Sequence, residues 1–390
     1  AHIPVNGVKV KTVSISPATI EVEVKTSLPG MVNIEILSGS GVVKTFAAET
    51  NGNRVTVQLV IKDAKLWSCD TPYLYTLRAS FGNDVVEESF GIRLLQWEPD
   101  NGLIINGERV ILKGACVHHD HGVLGACAFP EAEWRKVRIM KENGYNALPS
   151  SHYPCSKAFL DACDRQGVLV MDEYVDVWYI HKTEHDYANY MLDWWQQDLR
   201  EMVDKDFNHP CVIMYSTGNE VSETAQKKGI ELTGRLTRYL HQLDATRPVT
   251  CGINIFFNFL SSIGLGVYSD EKAKKEAEAA AKTKPAQKPE KKKAVGSEFY
   301  NVLSLVIGDW FMKAGATLPP CDYKTRDAYA NMDIAGYNYG IFRYRKDLKN
   351  YPERLILGSE TLCKDAYGFW EIAKENKRLI GDFVWPGMDY

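Results

Sequence analysis

The 390-residue chain carries 46 Lys and Arg against 50 Asp and Glu, a formal net charge of −4, and is 45% hydrophobic and 11% aromatic. With no basic excess it lacks the electrostatic footprint of a nucleic-acid binder, and no apolar run approaches the roughly 18 residues that a membrane span requires. Length and apolar content suffice for two domains with their own cores, so a soluble globular protein is expected.

Nine cysteines, at 69, 116, 127, 155, 163, 211, 251, 321 and 363, are odd in number and form no C-x-x-C pair. That pattern argues against a disulfide framework and against a zinc site, and fits reduced thiols in a cytoplasm. The opening "AHIPVNGVKV" shows no signal peptide, lacks an initiator Met and runs straight into a strand, so a preceding segment is expected.

Residues 1–97 alternate polar and apolar positions in "VKVKTVSIS", "TIEVEVKTS", "MVNIEIL", "NRVTVQLVI", "YLYTLRASF" and "VVEESFGIR", with Pro, Gly, Asn and Asp at the turns between them. This period of two predicts an immunoglobulin-like all-β sandwich. Nothing polar clusters in it, so a structural role is expected there.

From residue 98 the rhythm changes. Eight apolar runs, "RVILKGA", "YNALP", "VLVMDEY", "CVIMYSTGNE", "RPVTCGIN", "MDIAGYNY", "RLILGSE" and "LIGDFVW", alternate with amphipathic stretches such as "PEAEWRKVRIMKENG" and "TAQKKGIELTGRLTRYLHQLD". Such alternation predicts a (β/α)8 TIM barrel over 98–390. No helix follows the eighth run, so an apolar strip that favours self-association is expected. Residues 269–294, with nine Lys, five acids, two prolines and no aromatic residue, read as a solvated insertion after the fifth strand. The following "GSEFYNVLSLVIGDWFMKAG" is amphipathic and is expected to bring the chain back onto the barrel near the pocket.

TIM barrels place their chemistry at the C-terminal ends of the strands. Those ends offer His118, His119, Asp120 and His121; His152; Asp172 and Glu173; Asn219 and Glu220; Tyr337, Asn338 and Tyr339; Ser359 and Glu360; and Trp385 with Asp389. Carboxylates on the fourth and seventh strands face one another across a barrel mouth. One protonated to serve the leaving oxygen and one ionised to attack the anomeric carbon would cleave a glycosidic bond. An Asn-Glu pair after a strand is commonly a helix start, and Glu360 alone could be a surface acid. Their joint placement, with an aromatic residue on the eighth strand, is what singles them out.

"HHDH" has metal-ligand chemistry, but strand alternation would put His118 and Asp120 on one face and His119 and His121 on the other, too few ligands per face. The Asp172–Glu173 pair is the rival for the catalytic carboxylates, with the orientation of neighbouring side chains as its expected role.

"FGIRLLQWEPDNGLIINGERVILKGACVHHDHGVLG", "MKENGYNALPSSHYPCSKAFLDACDRQGVLVMDE", "DFNHPCVIMYSTGNE", "RLILGSE" and "GDFVWPGMDY" resemble the family-two glycoside hydrolases, the group of β-galactosidases, β-glucuronidases and β-mannosidases. The resemblance runs from about residue 20 to the end of the chain. It implies a retaining exo-β-glycosidase with no cofactor, in which Glu220 is the acid/base and Glu360 the nucleophile. Asn219 would bind the sugar's 2-hydroxyl and Tyr339, or Tyr337, would hydrogen-bond the nucleophile. His118, Asp120, His152 and Trp385 would line the sugar subsite. "HHDHGVLGA" is closest to a β-galactosidase-like subgroup, with β-glucuronidase and a catalytically silent sugar-binding protein as alternatives.

Three departures from that family's pattern stand out. Leu148-Pro149-Ser150 replaces the arginine that would support the nucleophile's charge, and a proline there should also disturb strand pairing. Val177 and Tyr179 occupy the positions of a magnesium-binding Glu-x-His found in some β-galactosidases, so no metal is expected. The jelly-roll domain that opens such enzymes and the region after the eighth strand lie outside this sequence.

Overall fold

The computed structural model describes residues 2–183, 185–265, 303 and 306–388. Seven strands build the N-terminal region: β1 (Val8–Ile15), β2 (Ala18–Lys25), β3 (Met31–Ser38), β4 (Gly41–Glu49), β5 (Arg54–Val60), β6 (Tyr75–Phe81) and β7 (Asp84–Phe90). They form two antiparallel sheets, β1-β2-β5 and β4-β3-β6-β7. The alternation does the work anticipated for it: Ile20, Val22 and Val24 of β2 meet Val32, Ile34 and Ile36 of β3 and Leu77 of β6 in one core. Each such side chain contributes roughly 1.5–3 kcal/mol.

β4 is a strand that the alternation did not reveal. It lies at a sheet edge and none of its residues is buried, so neither face carries an apolar pattern.

A third small sheet, β8 (Leu95–Glu98), β9 (Gly102–Ile105) and β10 (Glu108–Arg109), straddles the boundary expected at residue 97. Arg109 ties it to the barrel by donating to the carbonyls of Ala373 (2.9 Å) and Asn376 (3.2 Å), just ahead of the last strand. The sandwich is fastened to the barrel by side chains that satisfy backbone groups across the joint. Trp67 Nε1 donates to Asp164 O (2.9 Å), and the buried Arg93 guanidinium donates to Pro210 O (2.6 Å) and Val212 O (2.5 Å).

The barrel is closed and parallel: β11 (Leu112–Ala115), β12 (Ala147–Pro149), β13 (Leu169–Glu173), β14 (Val212–Asn219), β15 (Val249–Asn254), β16 (Ile334–Asn338), β17 (Leu355–Leu362) and β18 (Leu379–Trp385). These are the eight runs picked out in the sequence. Helices Pro130–Glu142, Lys157–Gln166, Met191–Asp206, Lys227–Leu243, Pro319–Tyr329, Tyr344–Asn350 and Ala366–Glu375 stand between successive strands. All eight residues of β14 are buried, as expected for a strand covered on both faces.

The ladder between β11 and β12 is the weakest part of the closure. It consists of Gly114↔Ala147 and an isolated bridge, Val117↔Ser150. Pro149 still serves through its carbonyl, which accepts from Val117 N–H (3.2 Å), while Ser150 N–H continues the pairing to Met171 O (3.1 Å). Gly114 is required here, since a Cβ would stand 2.3 Å from the Phe383 ring and 2.5 Å from Ala147 O.

The insertion at 269–294 lies outside the described residues. The chain re-enters with helix Asp309–Gly315, which packs on the barrel's C-terminal rim. Gly315 abuts Phe256, and Lys313 Nζ binds both oxygens of Asp365 at 2.9 Å.

Candidate active site

Regular strands alternate their side chains, so Asn219 and Glu220 should point to opposite faces. They do not, because Glu220 leaves β14 in the left-handed region at φ +45°, and the β14–β15 register shifts between Ser216 and Asn219. Tyr339, just past β16, repeats the device at φ +54°, beside a shift between Gly336 and Asn338. Such conformations are uncommon for residues other than glycine and cluster where a side chain must be re-aimed. Here they turn consecutive residues into one pocket.

Asn338 is the hub of that pocket. Its Nδ2 lies 3.4 Å from Glu220 Oε1, 3.3 Å from Glu360 Oε2 and 2.8 Å from Asn219 Oδ1, and Ser359 Oγ donates to its Oδ1 (2.7 Å). One amide nitrogen thus reaches both carboxylates, so these two oxygens cannot be further apart than the sum of 3.4 and 3.3 Å. The Tyr339 hydroxyl donates to Glu360 Oε1, and Asn254 Nδ2 donates to Glu220 Oε1 (2.9 Å). Tyr337, the alternative partner for Glu360, points away and donates to Asp347 Oδ2 (2.6 Å).

His152 joins the next layer. Its Nδ1 lies 2.9 Å from Glu173 Oε2, and its Nε2 lies 3.1 Å from Asn219 Nδ2 and 3.9 Å from Glu360 Oε2. Trp385 stacks on the His152 ring at 5.5 Å and 2° between planes, and meets His118 edge-on at 4.9 Å. Asp172 takes Ser150 Oγ (2.7 Å), Cys155 N–H (2.9 Å) and Lys205 Nζ (2.9 Å), so the Asp172–Glu173 pair does orient its neighbours.

The "HHDH" residues stand in the loop after β11 rather than on the strand, so the expected alternation does not govern them. His118 faces Trp385, its Nδ1 3.1 Å from Ser151 O, whereas His121 lies 3.4 Å from Glu133. Asp120 Oδ1 accepts from Gly122 N–H (2.9 Å) in that loop. Asp389 lies outside the described residues.

Burial and, next, the charge of Glu220 push the Glu360 carboxyl up to about 8, against the pull of His152 and the Tyr339 hydroxyl. Leu148-Pro149-Ser150 supplies no guanidinium to this carboxyl. His152 is under opposed demands. Burial alone would lower it, but Glu173, with Glu360 and Asp176 beyond, raises it to about 9.

The amide chain pulls His152 the other way. Asn338 must donate to two carboxylates, which turns Asn219 Oδ1 toward Asn338 and Asn219 Nδ2 toward Asp176 Oδ1 (3.4 Å) and His152 Nε2. With Nε2 unprotonated, that nitrogen accepts from the Asn219 amide while Nδ1–H donates to Glu173; the imidazolium that Glu173, Glu360 and Asp176 favour requires the Asn219 amide to yield.

Asn254 and Asp176 are site residues that the sequence reading missed. Asn254 ends the fifth barrel strand and caps the helix that follows it. Asp176 follows β13 within the aromatic stretch "EYVDVWYIHK", and its Oδ1 also takes Lys182 Nζ at 2.9 Å. Away from the pocket, Asp161, Asp164 and His209 form a cluster of metal-ligand type among the described residues. It is already used internally, with His209 Nδ1 2.6 Å from Asp164 Oδ2 and Cys211 N–H on Asp164 Oδ1.

The TIM-barrel domain of glycosyl hydrolases family 2 matches residues 99–305, and a second domain of the same family matches residues 6–93. A β-galactosidase of Bacteroides ovatus is 39% identical over 235 residues, covering 51% of this chain and 28% of its own length. A putative β-glucuronidase of Formosa agariphila is 30% identical over the whole chain, which covers 37% of that protein. The crystal structure of a glycosyl hydrolase family 2 member from Bacteroides cellulosilyticus superposes with a TM-score of 0.75 at 31% identity, covering 99% of this chain and 44% of that one. The chain thus spans less than half the length of these relatives. Two matched domains, in order, on the fold and pocket described above place the chain in one family: it belongs to the glycosyl hydrolases family 2.

Proposed function

We propose that the protein is a retaining exo-β-glycosidase acting on β-D-galactosides, with Glu360 as nucleophile and Glu220 as acid/base. The observation that carries this reading is the single Asn338 amide within reach of both carboxylates. Retention by double displacement needs carboxylates about 5–5.5 Å apart, whereas inversion needs room for a water between them.

The hydrogen bonds also support the division of roles. Tyr339, Asn338 and the nearby His152 hold negative charge on Glu360, which attacks the anomeric carbon while Glu220 protonates the departing oxygen. Once the glycosyl–enzyme bond has formed, the charge on Glu360 is gone. Glu220, freed from that repulsion, takes a proton from water, which attacks the anomeric carbon and releases the sugar. Asn219 would take the 2-hydroxyl, and Trp385, His118 and His152 would form the apolar and polar walls of the sugar subsite.

The choice of a neutral sugar rests on charge. Glu173, Asp176, Glu220 and Glu360 surround the pocket, and Lys182, the described lysine whose charge reaches Glu220, is held by Asp176. The glucuronide reading draws on the relatives named β-glucuronidase and requires a cation facing the sugar's carboxylate.

The test is hydrolysis of nitrophenyl β-galactoside, β-glucuronide, β-glucoside and β-mannoside by the full-length protein and its Glu360→Ala variant. Galactoside cleavage that disappears in the variant is expected. Preferential cleavage of the glucuronide would overturn the sugar assignment, and undiminished cleavage in the variant would overturn the mechanism.

A further inference from the structure

Asp176 stands at the pocket's rim, three residues beyond Glu173 and in contact with the amide of Asn219. Its Oδ1 is doubly engaged, by Lys182 Nζ at 2.9 Å and by Asn219 Nδ2 at 3.4 Å. Its Oδ2 takes no hydrogen bond among the described residues, and the side chain retains 28% exposure. The carboxylate's charge acts on both the His152 ring and the Tyr153 phenol.

Lys182 is more deeply set, at 12% exposure, and its Nζ also donates to Asn219 O (2.7 Å). One ion pair therefore grips Asn219 from both sides, its backbone through Lys182 and its amide through Asp176. A carboxylate held at one oxygen and open at the other is a fixed acceptor, and a fixed acceptor next to a sugar-binding amide suits a second hydroxyl of the same ring.

We propose that Asp176 is a specificity-determining residue: its Oδ2 accepts from a ring hydroxyl adjacent to the one that Asn219 takes, and its charge turns away sugars that carry a carboxylate. This rests on the glycosidase reading above and adds to it the residue that selects a neutral sugar. Lys182 is the positioning partner, a counter-ion spent on Asp176 rather than offered to the substrate.

A purely structural Asp176 would steady the loop and Asn219 for every substrate alike, and the two roles separate experimentally. In the full-length protein and its Asp176→Asn variant, kcat/KM is measured for nitrophenyl β-galactoside, β-glucuronide and β-galactosides lacking the 3-, 4- or 6-hydroxyl in turn. Melting temperatures are recorded alongside.

The parent should lose about ten- to a hundredfold with the 3-deoxy sugar, the loss of a hydrogen bond to a charged group, and a loss confined to the 4- or 6-deoxy sugar would overturn the assignment. Asp176→Asn should lose a similar factor with the intact galactoside and little more with the 3-deoxy sugar. Its preference for galactoside over glucuronide should fall at least tenfold, because Lys182 loses its counter-ion. Equal losses on every substrate, or deoxy effects unchanged by the substitution, would overturn the proposal.

If the parent cleaves the glucuronide instead, the galactoside assignment fails. The role of Asp176 is then judged by whether Asp176→Asn improves glucuronide turnover, and no improvement overturns it. If the parent cleaves nothing, titration calorimetry with galactose decides, and affinity unchanged by Asp176→Asn overturns it. If Asp176→Asn folds poorly, Lys182→Met makes the same comparison from the other side of the pair. With Asp176 no longer compensated, that variant should discriminate more strongly against glucuronide, and an unchanged ratio would overturn the proposal.

Discussion

Replacing Tyr339 by Phe removes one oxygen from the pocket and leaves the ring in place. That oxygen donates to Glu360 Oε1 inside a site where Glu360 is only 6% exposed, so no water readily substitutes for it. A hydrogen bond to a charged group is worth about 1.5–3 kcal/mol, and about 1.4 kcal/mol corresponds to one pH unit.

The Glu360 carboxyl already stands at about 8 because burial and Glu220 outweigh its hydrogen bonds. As the proposed nucleophile, Glu360 must be ionised to attack, so activity should climb as pH rises through that region. Tyr339→Phe should move this acidic limb of kcat/KM upward by about 1–2 pH units. At pH 7 the loss should be roughly ten- to a hundredfold, narrowing toward pH 9–10 as the carboxyl ionises again.

The assay is a pH profile of nitrophenyl β-galactoside hydrolysis from pH 5 to 10 for both proteins. A loss equal at every pH, with the limb unmoved, would refute the idea that Tyr339 works by holding charge on Glu360.

Two further predictions follow from the same hydrogen bonds and charges. Glu360→Gln should abolish hydrolysis yet stabilise the fold. A carboxyl raised from 4.5 to about 8 on folding gives stability that is complete below about pH 4.5 and lost as pH rises through 8, so the melting temperature should gain several degrees at pH 8–9 and little at pH 4; a uniform gain would contradict the reasoning. Asn254→Asp keeps the helix cap, in which Asn254 Oδ1 accepts from Phe257 N–H, but loses the donor to Glu220. Glycosides with poor leaving groups, which depend on protonation, should lose roughly tenfold and activated ones much less, whereas equal losses would sink the assignment.

The barrel was legible because its strands are buried on both faces and read as unbroken apolar runs, β14 most clearly. β4 was not, because an exposed edge strand needs no apolar periodicity. Glu220 and Glu360 announced themselves by ending such runs with charge. What the sequence could not show is the backbone that aims them: the left-handed conformations at Glu220 and Tyr339 and the register shifts beside them override the alternation that a strand implies. Asn254 was hidden by its second role, since an asparagine before "IFF" reads as a helix cap, which it also is. Asp176 was hidden by its surroundings, because its contacts reach forward only to Lys182 and then across 43 residues to Asn219.

The central claim is that Glu360 bonds to the sugar during turnover. It is tested most directly by incubating the full-length protein with 2,4-dinitrophenyl 2-deoxy-2-fluoro-β-galactoside, which slows release of the glycosyl enzyme, and mapping the label by mass spectrometry of the peptides. The account predicts one fluorogalactosyl group, on Glu360, and none in Glu360→Gln. A label on Glu220, Glu173 or Asp176 would contradict it, as would galactoside turnover that leaves every carboxylate unlabelled.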